Sequence, residues 1–267
     1  MFPYFRAMPL EFRKITLIGA GNVAYHLGNA FKRSGNRILK LINRTEAAGE
    51  RLAFELGCGF STELHEIPND TDIVIIAVND DAIATVADGV RCKRAVVAHT
   101  SGSVPIEVLS NCSDRIGVFY PLQTMHRDAD VNMAEVPFCI EGNSKWNEGV
   151  LLELARSISE NVQVLNSEQR KVAHIAAVFA CNFTNHFYAL AEQILQEKDM
   201  DLSILKPLIA KTARNIYSER PKELQTGPAK RNDTEVMQDH MKLLGQLSPE
   251  LGDLYAEVSE SIMKMHT

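Results

Sequence analysis

Gly19-Ala20-Gly21-Asn22-Val23-Ala24 directly follows the apolar run Ile15-Thr16-Leu17-Ile18 and opens a segment with helical spacing. In a GxGxxA element the first glycine permits a tight turn, the second lets the backbone come close to a pyrophosphate, and the small third residue lets helix and strand pack closely. Phosphates would then lie on the free N–H groups at the start of the helix, where the macrodipole favours anions. The spacing alone also occurs in plain structural turns. Here a strand precedes it, a helix follows, and a second strand lies at the right distance, so dinucleotide binding through Gly19, Ala20, Gly21, Asn22 and Val23 is the preferred reading.

The tip of the second strand bears on which dinucleotide. An NAD-preferring fold places Asp or Glu there to accept from the ribose 2′-hydroxyl; this chain has Asn43-Arg44-Thr45. Arg44 offers charge-assisted hydrogen bonds to a 2′-phosphate, with Asn43 and Thr45 as further donors, so the expected cofactor is NADP(H). The alternative is that Arg44 is a solvated residue at a helix start. Two more loops leave the ends of expected strands, where open α/β sheets bind ligands. Ala77, Val78 and Asn79 in the first, and Thr100, Ser101 and Gly102 in the second, are expected to line the ribose and nicotinamide. Ordinary turns capped by Asp80 or Ser101 are the competing reading. His99 is read as a buried, satisfied histidine in preference to a donor to the ribose.

The elements that must hold these loops follow from periodicity. Short apolar, β-branched runs are expected as strands at Lys14 to Ile18, Arg37 to Ile42, Ile73 to Val78, Ala95 to His99, Ile116 to Phe119, Val136 to Glu141 and Val162 to Leu165. Helices are expected at Val23 to Ser34, Thr45 to Leu56 (Thr45 as N-cap, Gly57 as stop) and Lys145 to Ile158. That pattern is α/β: a Rossmann doubly wound, mostly parallel sheet over residues 1–167. From 168 to 267 only helical spacing is found, so an all-helical second domain is expected. Its first helix, Glu168 to about Glu197, carries apolar residues on more than one face (Ala176, Ala177, Val178, Phe179, Ala180, Phe183, Phe187). It must be buried on several sides, and a homodimer through the helical domain would supply the cover.

Composition narrows the classes. The hydrophobic fraction of 45% and charged fraction of 23% are those of a globular protein. No stretch is apolar enough to span a bilayer, and the start, Met1 to Phe12, reads as a leader before the first strand rather than a secretory signal. Five cysteines without a CxxC pair argue against a disulfide framework and fit a cytoplasmic location. A net charge of −6 gives no footprint for nucleic acid, which leaves a small molecule as partner. Eight dispersed histidines without HExxH or a Cys/His cluster give no metal site, and no GxSxG or Cys/His nucleophile pattern is found.

Along the long helix, Lys171, His174, Val178, Cys181, Asn182 and Asn185 recur at helical spacing as a partly polar stripe, which on a buried helix needs partners. Further on, Gln225 to Thr234 reads as a loop running into a helix that contains His240. Gly227 and Pro228 set its turn, and Asp233 or Thr234 caps the helix. Thr226, Gly227, Arg231 and His240 are candidates for holding a substrate carboxylate, across a dimer or within one chain; a plain capped helix start is the other reading.

Taken together, these motifs resemble the Rossmann-like DUF2520 proteins over nearly the whole chain, a set described as NADP oxidoreductases and related in architecture to pyrroline-5-carboxylate reductase and the β-hydroxyacid dehydrogenases. The resemblance rests on the GxGxxA loop with Asn43-Arg44-Thr45, on His99 to Gly102, on Tyr120-Pro121-Leu122-Gln123-Thr124, on His174 to Asn182, and on Thr226-Gly227-Pro228 followed by Arg231, Asp233 and His240. Family members often carry His-Pro in place of Tyr120-Pro121 and Ser-Asn in place of Cys181-Asn182, so the side chains at 120 and 181 receive no role from it. What the resemblance implies is fold, cofactor and an interlocked dimer. By analogy with the Lys and Asn of the β-hydroxyacid dehydrogenases, it makes His174 or Lys171 the candidate proton donor and Asn182 a substrate-orienting amide; the competing and commoner reading of a lone histidine on an apolar face is a core residue bonded to a carbonyl. The region of Thr226 corresponds to a substrate loop in pyrroline-5-carboxylate reductase. The resulting expectation is an NADPH-dependent reductase of a small carbonyl or imine, acting in an interdomain cleft. Hydride exchange with a deazaflavin such as F420, and an NADP-binding sensor or scaffold without turnover, are the alternatives.

Overall fold

The computed structural model describes residues 12–267. The leader expected at the amino terminus therefore lies, but for Phe12, outside the described residues. The chain forms two compact units, one reaching Phe179 and one starting at Ala180.

In the first unit, β1 (Lys14–Ile18), α1 (Asn22–Arg33), β2 (Arg37–Ile42), α2 (Glu46–Leu56), β3 (Gly59–Ser61), β4 (Ile73–Ile76), α3 (Asp80–Gly89), β5 (Val96–His99), β6 (Ile116–Pro121), β7 (Phe138–Gly142), α4 (Lys145–Arg156), β8 (Val162–Val164) and α5 (Ser167–Ala177) follow one another along the chain. Eight strands form one sheet in the order β3-β2-β1-β4-β5-β6-β7-β8. All pairs are parallel except β6 with β7, which run antiparallel with Phe119 opposite Ile140. Both faces are covered, so strands alternate apolar with apolar. Ile15, Leu17, Ile73 and Ile75 enter one core with Leu27, Phe31, Leu52, Phe119 and Phe138. Ile18, Val74, Ile76 and Val97 enter the other with Ile83, Ala87 and Leu109. Strands buried on both faces read as continuous hydrophobic runs, which is why these stood out in the sequence.

Three features depart from the sequence reading. The three-residue β3 was not anticipated; it contains Gly59 and is held by parallel pairing of Lys40, Leu41 and Ile42 with Gly59, Phe60 and Ser61. Thr45 does precede α2, but its side chain makes no cap hydrogen bond, whereas Gly57 ends the helix in the left-handed region at φ 72° as expected. The third departure is the expected single helix from Glu168. It is α5, opened by a capping box of Asn166 with Gln169, then a π-helix at Val178–Phe183, then α6 (Thr184–Gln196). The i→i+5 bonding of a π segment inserts extra chain per turn. The 3.6-residue spacing that aligned Lys171 and His174 with Cys181, Asn182 and Asn185 therefore does not carry across it.

The second unit continues through α6, α7 (Lys206–Asn215), α8 (Pro221–Leu224), α9 (Thr234–Leu247) and α10 (Pro249–His266), with α9 packed on α10. Multi-sided burial of the long helix is not found among the described residues. No residue of α6 is buried, and Phe179 and Phe187 are 65% and 43% exposed.

Candidate functional site

The loop between β1 and α1 is held from both sides. Gly19 N–H donates to the Ile42 carbonyl at 2.8 Å, and Ala77 N–H donates to the Ile18 carbonyl at 2.7 Å. Gly19 has φ 112°, and a Cβ there would lie 2.2 Å from the Ala77 carbonyl oxygen. Backbone conformation and packing each demand glycine at this position. Gly21 is different. It has an ordinary φ of −77° and a Cβ added to it would meet no protein atom within 4 Å. Nothing among the described residues requires glycine at Gly21, so its bare backbone leaves room for something from outside. Gly21 and Asn22 are exposed, Ala20 and Val23 half-buried. The first turn of α1 has neither a side-chain cap nor an acidic residue, which leaves its N–H groups available to an anion. A dinucleotide pyrophosphate fits this set of residues.

At the end of β2, Arg44 is exposed and joins no ion pair among the described residues. Asn43 folds back, its Nδ2 donating to the Thr45 carbonyl at 2.7 Å. That bond shapes the tip and leaves Arg44 as the charged group presented there.

The loops after β4 and β5 are tied together at their starts. Thr100 N–H donates to the Ile76 carbonyl at 3.1 Å, and Ser103 Oγ donates to Asp80 at 2.6 Å. Ser101 Oγ accepts from the N–H groups of Ser103 and Val104, so it caps its own turn. Ala77, Thr100, Ser101 and Gly102 are buried, Val78 is half-buried and Asn79 exposed. His99 is fully buried and only half satisfied: Nδ1 accepts from Ser101 N–H at 3.2 Å, while Nε2 lacks a hydrogen bond of ordinary geometry. Burial, with the nearby Arg170 charge adding, pushes its pKa down to about 4.

His174 on α5 lies against this region. Its Nδ1 is 2.9 Å from the Tyr120 hydroxyl at the end of β6, with the two rings edge to face. Gly102 walls the pair: a Cβ there would be 2.7 Å from Tyr120 Cζ and 2.8 Å from His174 Nδ1. Three segments far apart in sequence thus converge at the carboxyl ends of β5 and β6. Lys171, one turn before, is exposed, and its side chain joins no ion pair among the described residues. Sequence reasoning did not assign Tyr120; its position as a polar residue at the carboxyl end of an expected strand was the signal available.

Arg170, also missed, anchors α5. Its side chain is wholly buried, pairs with Glu141 at the end of β7, and donates to the Val104 carbonyl at 2.5 Å. Glu141 also accepts from Ser167 N–H at 3.0 Å in the first turn of α5.

In the second unit, Asn182 lies exposed in the π-helix. Gly227 has φ 102°, as its turn requires, and Asp233 caps α9 through Val236 N–H. Arg231 reaches Asp233 at 4.0 Å and His240 Nδ1 is 2.9 Å from the Tyr255 hydroxyl. Thr226 lines an apolar groove of about 330 Å³ with Phe187, Leu190, Leu244, Leu251 and Val258. No hydrogen bond joins Thr226, Arg231 and His240 to one another. Among the described residues no group of three or more His, Cys, Asp or Glu is arranged to hold a metal ion.

The profile of a Rossmann-like domain matches residues 9–126, and that of a domain of unknown function, DUF2520, matches residues 136–262. A solved structure from Bacteroides fragilis, provisionally named an NADP oxidoreductase, is 39% identical, with 96% of this chain and 99% of that one covered at a TM-score of 0.87. The chain belongs to the Rossmann-like DUF2520 family. Two more distant structures share the fold with this family member. An imine reductase from Myxococcus stipitatus, in complex with NADP+, is 15% identical over 94% of both chains at a TM-score of 0.67. A 1-pyrroline-5-carboxylate reductase from Streptococcus pyogenes is 13% identical over 94% of this chain and 98% of its own at 0.64. None of the curated proteins matches the sequence significantly.

Proposed function

We propose that this protein binds NADP(H) and reduces a small carbonyl or imine compound. The observation that carries the reading is Gly21, whose bare backbone faces open space at the uncapped start of α1. The likeness to a protein provisionally named an NADP oxidoreductase, and to an imine reductase with NADP+ bound, supports it. Arg44 is assigned to the 2′-phosphate, and the loops with Ala77 to Asn79 and Thr100 to Gly102 to the ribose and nicotinamide.

Bound NADPH supplies a hydride to the electrophilic carbon of the substrate. The chain must then deliver one proton to the oxygen or nitrogen that gains the electron pair, and His174 is assigned that role over Lys171 because it is held against Gly102 by Tyr120. Asn182 is assigned to orient the substrate, and Thr226, Gly227, Arg231 and His240 to bind it. A second copy of the chain is proposed to cover the exposed phenylalanines of the helical region, and a cytoplasmic location suits five cysteines that form no disulfide among the described residues.

The test compares two glycines. Gly19→Ala is expected to destabilise the fold, because its Cβ collides with backbone. Gly21→Ala is expected to melt like the wild type yet bind NADPH at least ~10-fold more weakly by calorimetry, since the added methyl intrudes on the phosphates. Unchanged binding in folded Gly21→Ala would remove the assignment. Turnover of a small ketone or imine, followed by NADPH absorbance, fixes the reaction class; selective binding without turnover would favour a sensor.

A further inference from the structure

The assignment of His174 as proton donor leaves open how its ring is held, and that question rests on the reading above. Tyr120 and His174 are 54 residues apart, yet the hydroxyl and Nδ1 are within hydrogen-bond distance and no other hydrogen bond to either group is found among the described residues. The loop at Gly102 presses on both side chains so closely that any side chain there would displace them. The pair is therefore fixed against the loop that leaves β5, and its orientation is set by packing as well as by the bond.

We propose that Tyr120 is the positioning residue for His174: its hydroxyl engages Nδ1, so that Nε2 is the ring nitrogen through which the proton passes to the substrate. A hydroxyl has one proton and two lone pairs. It donates to Nδ1 of the resting neutral ring, which is protonated at Nε2, and accepts from Nδ1–H when the ring is charged or has just given up its Nε2 proton. A carbonyl or an ionised carboxylate in its place would accept only, and would pull a proton onto Nδ1 in both states. Tyr120 stays a hydroxyl throughout, since burial, with Cys139 and Asp80 adding and Arg170 opposing, pushes the phenol up to about 12. In the reaction the Nε2–H bond of the charged ring breaks as the O–H or N–H bond of the product forms, which leaves the ring neutral with its remaining proton on Nδ1, donated to the Tyr120 oxygen. NADPH, when bound, would supply the substrate carbon with the hydride and its two electrons, and solvent returns a proton to Nε2.

The experiment is long-range proton–nitrogen correlation NMR on the full chain labelled with [15N]histidine, with His174→Gln used to assign the signal. In the neutral ring of the wild type, Nδ1 is expected to be unprotonated and hydrogen-bonded and Nε2 protonated. In Tyr120→Phe, which keeps the ring that fills the space, this preference is expected to fall several-fold while the melting temperature stays within a few degrees. A wild-type ring protonated at Nδ1, or an unchanged tautomer ratio in Tyr120→Phe, would overturn the proposal. Neither measurement needs cofactor or turnover, so a failure to bind NADPH would count against the functional reading and not against this one. With a substrate in hand, Tyr120→Phe is expected to lower kcat by ~10-fold or more at constant KM; a change confined to KM would also overturn it.

Discussion

Arg44 presents a guanidinium at the tip of β2 that no carboxylate among the described residues neutralises. A hydrogen bond to a charged group contributes about 1.5–3 kcal/mol, or roughly 10- to 100-fold in affinity. Arg44→Ala is expected to weaken NADPH by that factor and NADH little, as read by calorimetry; equal losses would show that the residue does not read the 2′-phosphate. His99 makes a different prediction. Its folded pKa, about 4, lies below the ordinary 6.5, so the unfolded chain binds its proton first as the pH falls. The stability it contributes is complete above about pH 6.5 and is lost towards pH 4, amounting to about 3 kcal/mol. Its imidazole resonances are expected to stay flat down to about pH 5, and a midpoint near the ordinary value would contradict its burial. At this scale the sequence was partly legible. Gly19 and Gly21 stood out because strand, turn and helix are contiguous. Tyr120 did not, because nothing local ties a tyrosine at one strand end to a histidine 54 residues later.

At the scale of elements, α5 is secured at its first turn by Arg170 and Glu141, and His174 lies one turn beyond. Removing one member of a buried pair leaves an uncompensated charge and costs about 3–5 kcal/mol. Glu141→Ala is expected to lower the unfolding free energy by that amount in urea titration, while Glu141→Gln, which keeps one acceptor oxygen for either Arg170 or Ser167, loses less. A loss below about 1 kcal/mol for Glu141→Ala would mean that the pair is not what anchors the helix. The strands were readable because a sheet covered on both sides demands unbroken apolar runs. β3 was not, since three residues with a glycine carry no period and owe their pairing to β2. Nor was the π segment, because a spacing of apolar residues does not register an extra residue inside the hydrogen-bond ladder.

For the whole molecule, α5, α6 and the segment between them leave a run of large apolar residues exposed. Val172, Ile175, Phe179 and Phe187 are each between 43% and 67% exposed, and burying such a side chain contributes about 1.5–3 kcal/mol. Light scattering is expected to report about twice the chain mass, and Ile175→Glu with Phe187→Glu to shift the protein towards monomer; a wild-type monomer at micromolar concentration would refute this. The sheet cannot serve the same purpose. Its outermost strands, β3 and β8, are three residues each, shorter than every strand between them. So short a border offers a foreign strand too few backbone partners to add on. Growth by sheet extension, the usual route from a folded α/β protein to fibrous aggregate, is closed at both margins, and the protein is expected to stay dispersed at concentrations where a longer border would nucleate precipitation.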